Sequence, residues 1–245
     1  MLIITADDWG KNTVATNNTL LTFKNGSITT VSSMVFMKDS ERASELALEN
    51  GIEAGLHLNF SMPFDGGTCS EKLLNFQLRL ASFLEKNRFA QMVYNPFLTK
   101  EFEYVFKAQY DEYMRLYGME PVHINGHRHK HLCSNVLFDD LLPRGSKVRR
   151  TFTFNYGEKN AFNLMYRRLI DWIVENKYTC TNSFFSLMPI DKKDRLKKIM
   201  DRSIKSAVEL MVHPEKTKEM DWLMSVDYSE IVSHIKKGTY GLLKQ

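Results

Sequence analysis

The sequence predicts an α/β fold of the (β/α)-barrel type, whole, distorted or incomplete, in a single domain over residues 1–245. Three observations carry this expectation. Short β-rich runs alternate with longer helical patterns along the entire chain, about eight of each kind of segment by the usual periodicity signals. No shift in composition and no Pro/Gly-rich linker divides the chain, whose 12 Gly and 6 Pro are few for 245 residues. A doubly wound open sheet is the alternative, but no Gly-x-Gly-x-x-Gly follows the first strand.

In chain order, Leu2 to Ala6 is a short apolar run that ends in acids, as a buried strand would. Val14 to Lys24 reads as a helix stopped at Asn25-Gly26. The β-branched stretch Thr30 to Met37 is the second strand, and Asp39 or Ser40 can cap the helix that runs to Asn50-Gly51. Glu53 to Phe60 is the third strand. A loop containing Pro63 and Gly66-Gly67 leads to helices over Glu71–Lys86 and Lys100–Tyr117, the second ended by Gly118. Val122 to Gly126 is strand-like and Leu137 to Leu142 helical. Further strands are expected at Lys147–Phe154, Thr179–Phe185, Val208–Val212 and Thr239–Leu243, separated by helices at Ala161–Asn176, Lys192–Lys205 and Tyr228–Lys237.

Composition excludes several function classes. A formal charge of +4 is too mild for a nucleic-acid footprint. No apolar run approaches the roughly 18 residues that span a membrane, and the first residues lack the basic region of a secretory leader. Three widely spaced cysteines, Cys69, Cys133 and Cys180, form neither a disulfide framework nor a zinc knuckle, which suits a reducing cytoplasm.

The chemistry should lie at the carboxyl ends of the strands. The first strand ends in Asp7-Asp8-Trp9-Gly10, two charges that need a partner or a metal after a buried run. The third carries His57 and Asn59 on one face. Four of the seven histidines fall within His123–His131, where period-two spacing aims His123, Asn125 and His127 the same way. His213-Pro214 closes the apolar run Val208–Val212. Singly, each of these fits an ordinary core or capping residue. Together, two carboxylates and several imidazoles from different strand ends can converge. One acid with two histidines makes a divalent-metal site with open positions. A spare acid and a spare histidine supply general base and general acid.

These residues resemble the YdjC-like carbohydrate deacetylases, a family that includes chitooligosaccharide deacetylases. The resemblance rests on Thr5-Ala6-Asp7-Asp8-Trp9-Gly10, on Gly55-Leu56-His57-Leu58-Asn59, on His123-Ile124-Asn125-Gly126-His127-Arg128-His129-Lys130-His131 and on His213-Pro214, in order and approximate spacing over nearly the whole chain. It implies a barrel-like fold, a homodimer, and one divalent ion, magnesium or zinc, held by Asp8, His57 and His127. It casts Asp7 as general base and His213 as general acid in removing an N-acetyl group from an amino sugar or oligosaccharide. Where the family has Asp-Ser, this chain has Asn125-Gly126, so a supporting acceptor loses its charge. By the same resemblance Arg149 contacts substrate. Trp9, Asn59 and Phe64 are expected in the pocket, with Phe184-Phe185 as further stacking surfaces. His123, His129 and Asn125 are expected behind the ligands. A carbohydrate-binding relative without turnover and a metal-dependent phosphoesterase are the competing readings.

Overall fold

The computed structural model describes residues 1–154, 157–190 and 193–244. Strand β1 spans Leu2–Trp9, β2 Thr30–Ser33, β3 Ala54–Leu58, β4 Ile124–Gly126, β5 Ser183–Ser186, β6 Val208–Val212 and β7 Lys237–Gly238. The helices are α1 Thr13–Lys24, α2 Ser40–Glu49, α3 Glu71–Leu84, α4 Thr99–Tyr117, α5 Ser134–Phe138, α6 Ala161–Lys177, α7 Lys193–Lys205, α8 Thr217–Leu223 and α9 Val226–Ser233. The start expected for α7, Lys192, lies outside the described residues. Side-chain caps open several helices: Asn12 accepts from Ala15 N, Ser70 from Leu73 N, Asn160 from Asn163 N and Ser225 from Tyr228 N. Gly118 ends α4 in the left-handed region at φ 68°, where a side chain would be strained.

All pairings are parallel, in the order β4-β3-β2-β1-β6-β5, with β7 beside the start of β1. The sheet curls into a half-barrel, so the incomplete form of the expected barrel is the observed one. Strand alternation divides its two faces. Leu2, Ile4, Ala6, Val31, Leu56, Val208 and Leu210 join the apolar core beneath the helices. Asp7, Ser32, His57 and Glu209 turn to the other, polar side.

Two expected strands are corrected. Residues 147–154 make only single parallel bridges, Val148 to Ile124 and Lys147 to Thr179, across the opening between β4 and β5. The stretch is held by its arginines instead of a ladder: Arg149 reaches carboxylates on β1 and β6, and Arg150 bonds Asp171 at 2.9 Å. Thr239–Leu243 is a 3₁₀ turn over Tyr240–Leu242, which delivers the Tyr240 hydroxyl to Glu209. Helix α8 has no clear apolar period and was not expected. No helix among the described residues is long and apolar enough to cross a membrane. The three cysteines are unpaired.

Candidate active site

Adjacent residues of a regular strand face opposite sides, so Asp7 and Asp8 would diverge. A β-bulge prevents this. Between Ala6 and Trp9, β1 advances three residues while β2 advances two, from Val31 to Ser33. The extra residue is accommodated at Asp8, which adopts φ 65°. For a non-glycine residue that conformation costs on the order of 1 kcal/mol, and such strain gathers at functional sites. Its effect is to bring both carboxylates to the polar interior.

Asp8, His57 and His127 each offer one donor atom, all within 4.8 Å of one another. Asp8 Oδ1 lies 3.1 Å from His127 Nδ1 and 3.4 Å from His57 Nε2. The far nitrogen of His57, Nδ1, donates to Asn125 Oδ1 at 2.6 Å, which orients the ring and turns Nε2 toward Asp8. Asn125 Nδ2 donates to Ser32 Oγ at 2.7 Å, and that hydroxyl lies 3.0 Å from His123 Nε2. His123 is buried and stacked on Tyr240, with ring centroids 4.2 Å apart. The ring fits only because residue 55 is glycine: a Cβ there would come within 2.3 Å of it. Burial would lower the proton affinity of His57, but Asp7 and Asp8 outweigh it and raise its pKa. Asp8 is buried too, yet the two imidazoles hold it well below the usual carboxylate range. One carboxylate and two imidazoles, one of them oriented by Asn125, form a donor set that fits a divalent ion.

The crowding of histidines after β4 has a local cause. Arg128 and His129 are both left-handed, at φ 51° and 59°, so the chain reverses within residues 127–132. His127 enters the site, His129 meets the edge of Phe152 at 4.5 Å, and His131 bonds the Arg149 carbonyl at 3.0 Å.

Asp7 is gripped from behind. Arg149 Nη1 and Nη2 donate to its two oxygens at 2.6 and 2.8 Å. The same guanidinium bonds Glu209 Oε1 through Nε and Nη2 at 2.9 and 2.7 Å, and Tyr240 donates to Glu209 Oε2 at 2.5 Å. Its flat face lies 4.7 Å from the centre of the Phe184 ring. Burial would push the Asp7 carboxyl up, but Arg149 overrides it and holds the group far below its ordinary value. His213 stands at the end of β6, 17 % exposed, with its backbone N–H on Glu219 Oε2 at 2.8 Å and Nδ1 3.7 Å from Glu219 Oε1. Burial lowers its pKa against the pull of Asp7 and Asp8.

Four residues expected against substrate lie elsewhere. Arg149 is fully buried behind Asp7, not in an open cleft. Trp9 is buried under α2, donating from Nε1 to the Ala43 carbonyl at 3.1 Å. Asn59 is buried and shapes its own turn: Oδ1 accepts from Met62 N and Nδ2 donates to Met62 O, at 2.8 and 2.7 Å. Phe64 packs on Phe36 with ring centres 5.3 Å apart. Phe184 is covered by Arg149 and Phe152, whereas Phe185 helps line a cavity of about 860 Å³ beyond the end of β5. That cavity carries Phe152, Phe154, Lys159, Arg195 and Arg202, and none of Asp8, His57 and His127 lines it.

Sequence reasoning missed Lys11, Glu209 and Tyr240, and it places Glu215 only in a pocket wall. Lys11 Nζ lies 3.2 Å from Asp8 Oδ2 and 2.7 Å from Glu215 Oε1. A lone acid such as Glu209 inside the apolar run Val208–Val212 demands a buried partner, and that signal was available.

The profile of the YdjC-like protein family matches residues 1–234. The chain belongs to the YdjC-like family. It is 31 % identical to the carbohydrate deacetylase of Mus musculus over 140 residues, 55 % of this chain and 44 % of that one. With the carbohydrate deacetylase of Clostridium beijerinckii it shares 24 % identity over 87 % of this chain and 80 % of that one. The chain thus spans about half the length of several curated relatives and most of the clostridial one. An Enterococcus faecalis crystal structure, described as a candidate cellobiose-phosphate cleavage protein, superposes with a TM-score of 0.74 at 16 % identity, over 100 % of this chain and 98 % of that chain. At that identity the likeness speaks for the fold alone.

Proposed function

We propose that this chain is a metal-dependent carbohydrate deacetylase that hydrolyses the N-acetyl amide of an amino sugar, free or within an oligosaccharide, and releases acetate. The observation that carries the reading is the convergence of Asp8, His57 and His127 on one point, with Asp7 beside it, in a chain whose relatives are named carbohydrate deacetylases. A divalent ion held by that triad would supply Lewis-acid polarisation of the acetyl carbonyl. Asp7, kept ionised by Arg149, orients the attacking water and accepts its proton as oxygen bonds to the acyl carbon. Arg149 acts through Asp7, not on the sugar. His213, whose backbone N–H is held by Glu219, gives a proton to the amine nitrogen as the C–N bond breaks. His57 and Asn125 stay fixed throughout, since each is buried and mutually bonded.

Acetate release from a panel of N-acetylated mono- and oligosaccharides, with zinc, cobalt, manganese or magnesium added in turn, tests the proposal. Asp8→Asn and His127→Ala should lose bound metal and turnover together. Full activity of chelator-stripped protein would sink the reading.

A further inference from the structure

The Asp8 carboxylate is divided between two kinds of partner. Oδ1 faces the imidazoles of His127 and His57, at 3.1 and 3.4 Å. Oδ2 faces the ammonium of Lys11 at 3.2 Å. The turn that ends β1 sets this up: Lys11 N–H donates to the Asp8 carbonyl at 3.1 Å, so the side chain folds back onto the carboxylate three residues earlier. Lys11 is held in turn by both oxygens of Glu215, at 2.7 and 3.0 Å. Glu215 follows His213 by two residues, and its loop is pinned to α1 by Asn18 Nδ2 on the Pro214 carbonyl at 3.0 Å. Lys11 and Glu215 are only 20 % and 19 % exposed, so this contact is a built feature of the site's rim and not a loose surface pair.

We propose that Lys11 is a resident cation that competes with the divalent ion for Asp8, and that Glu215 sets how hard it competes. The inference rests on the metal-site reading above. Two effects act in one direction. An ammonium on Oδ2 leaves Asp8 only one oxygen to offer. Its positive charge also lies a few ångströms from where the ion would sit, in surroundings that screen it poorly. Both make binding weaker and exchange easier. Glu215 draws the ammonium away from Asp8. Without it, the full charge of Lys11 falls on the ligand carboxylate.

The two residues should therefore affect metal binding with opposite signs, which a merely structural ion pair would not do. The full-length protein is stripped with a chelator, and Zn²⁺ affinity is measured by competition with a chromogenic chelator. Thermal melting checks that each variant is folded. Lys11→Met should bind Zn²⁺ at least about tenfold more tightly, the gain expected for removing one charge about 5 Å from a divalent ion even under water-like screening. Glu215→Gln should bind it severalfold more weakly, and the double variant should follow Lys11→Met. Lys11→Gln replaces Lys11→Met if the latter does not fold. Unchanged or weaker binding in the charge-free Lys11 variant overturns the inference while leaving the metal site standing. Wild-type protein that binds no Zn²⁺ overturns both.

Discussion

Arg149→Met should unfold the protein well before the wild type, and by a margin that shrinks in acid. Arg149 donates four hydrogen bonds to two buried carboxylates, Asp7 and Glu209. Removing one partner of a buried ion pair costs about 3–5 kcal/mol, because a charge is left without compensation. For a chain of this size about 1 kcal/mol moves the melting point by roughly 2–4 °C, so a drop on the order of 10 °C is expected at pH 7.5. The sign of the pH effect follows from Asp7. In the wild type its pKa is depressed, so its contribution is present above the unfolded value of about 4 and is lost only as pH falls toward the folded value. In the variant, burial, the largest single influence on Asp7, is opposed only by His57 and His213 and raises the folded pKa above the unfolded one. The penalty then applies at high pH and is relieved as the carboxyl protonates. Melting curves at pH 7.5 and pH 5 should show the gap between the two proteins narrowing. A gap under about 3 °C at pH 7.5, or one that widens on acidification, would refute the reasoning.

Other expectations concern the support behind Asp8, His57 and His127. Gly55→Ala forces a Cβ into the His123 ring, at 2.3 Å before relaxation, and should cost about 1–3 kcal/mol in chemical denaturation. Asn125→Asp restores charge to the acceptor of His57 and should tighten Zn²⁺ binding about tenfold in equilibrium dialysis; weaker binding would count against the Nδ1 contact as a tuning device. His131 is buried and lowered to about 3, whereas the unfolded chain protonates near pH 6.5. Stability should therefore fall as pH drops from about 6.5 toward 3. His131 accounts for about 2 kcal/mol of that by pH 5, a loss that an apolar substitution at 131 should remove from the pH profile.

Strand ends were the legible part of this chain. Asp8, His57 and His127 come together as their positions after buried runs suggest, and Asp7 and His213 border them. Alternation says which side of a strand a residue faces, but not what later covers it. Asn59 is taken up by its own turn with Met62, and Phe64, on the loop after β3, packs on Phe36, contacts that no periodicity shows. The sequence points Arg149 toward substrate and not toward Asp7 because its partners, Asp7 and Glu209, lie on strands distant in sequence. Lys11 and Glu215 sit in turns, where no periodicity marks a residue as functional. The bulge in β1 has no composition signal either, because its extra residue is simply the second Asp.

The central position of β1 has a consequence for how the chain is made. Its partners on one side, Val208–Val212, and at its foot, Lys237–Gly238, are synthesised some two hundred residues after it. A nascent chain holding β1 to β4 lacks both Arg149, the partner of Asp7, and Glu209, which holds Arg149. The acidic bulge must stay wet, and the half-barrel unsealed, until β6 has left the ribosome. Folding of this site is therefore a late, long-range event, and a ribosome-stalled intermediate should expose the edge of its first strand.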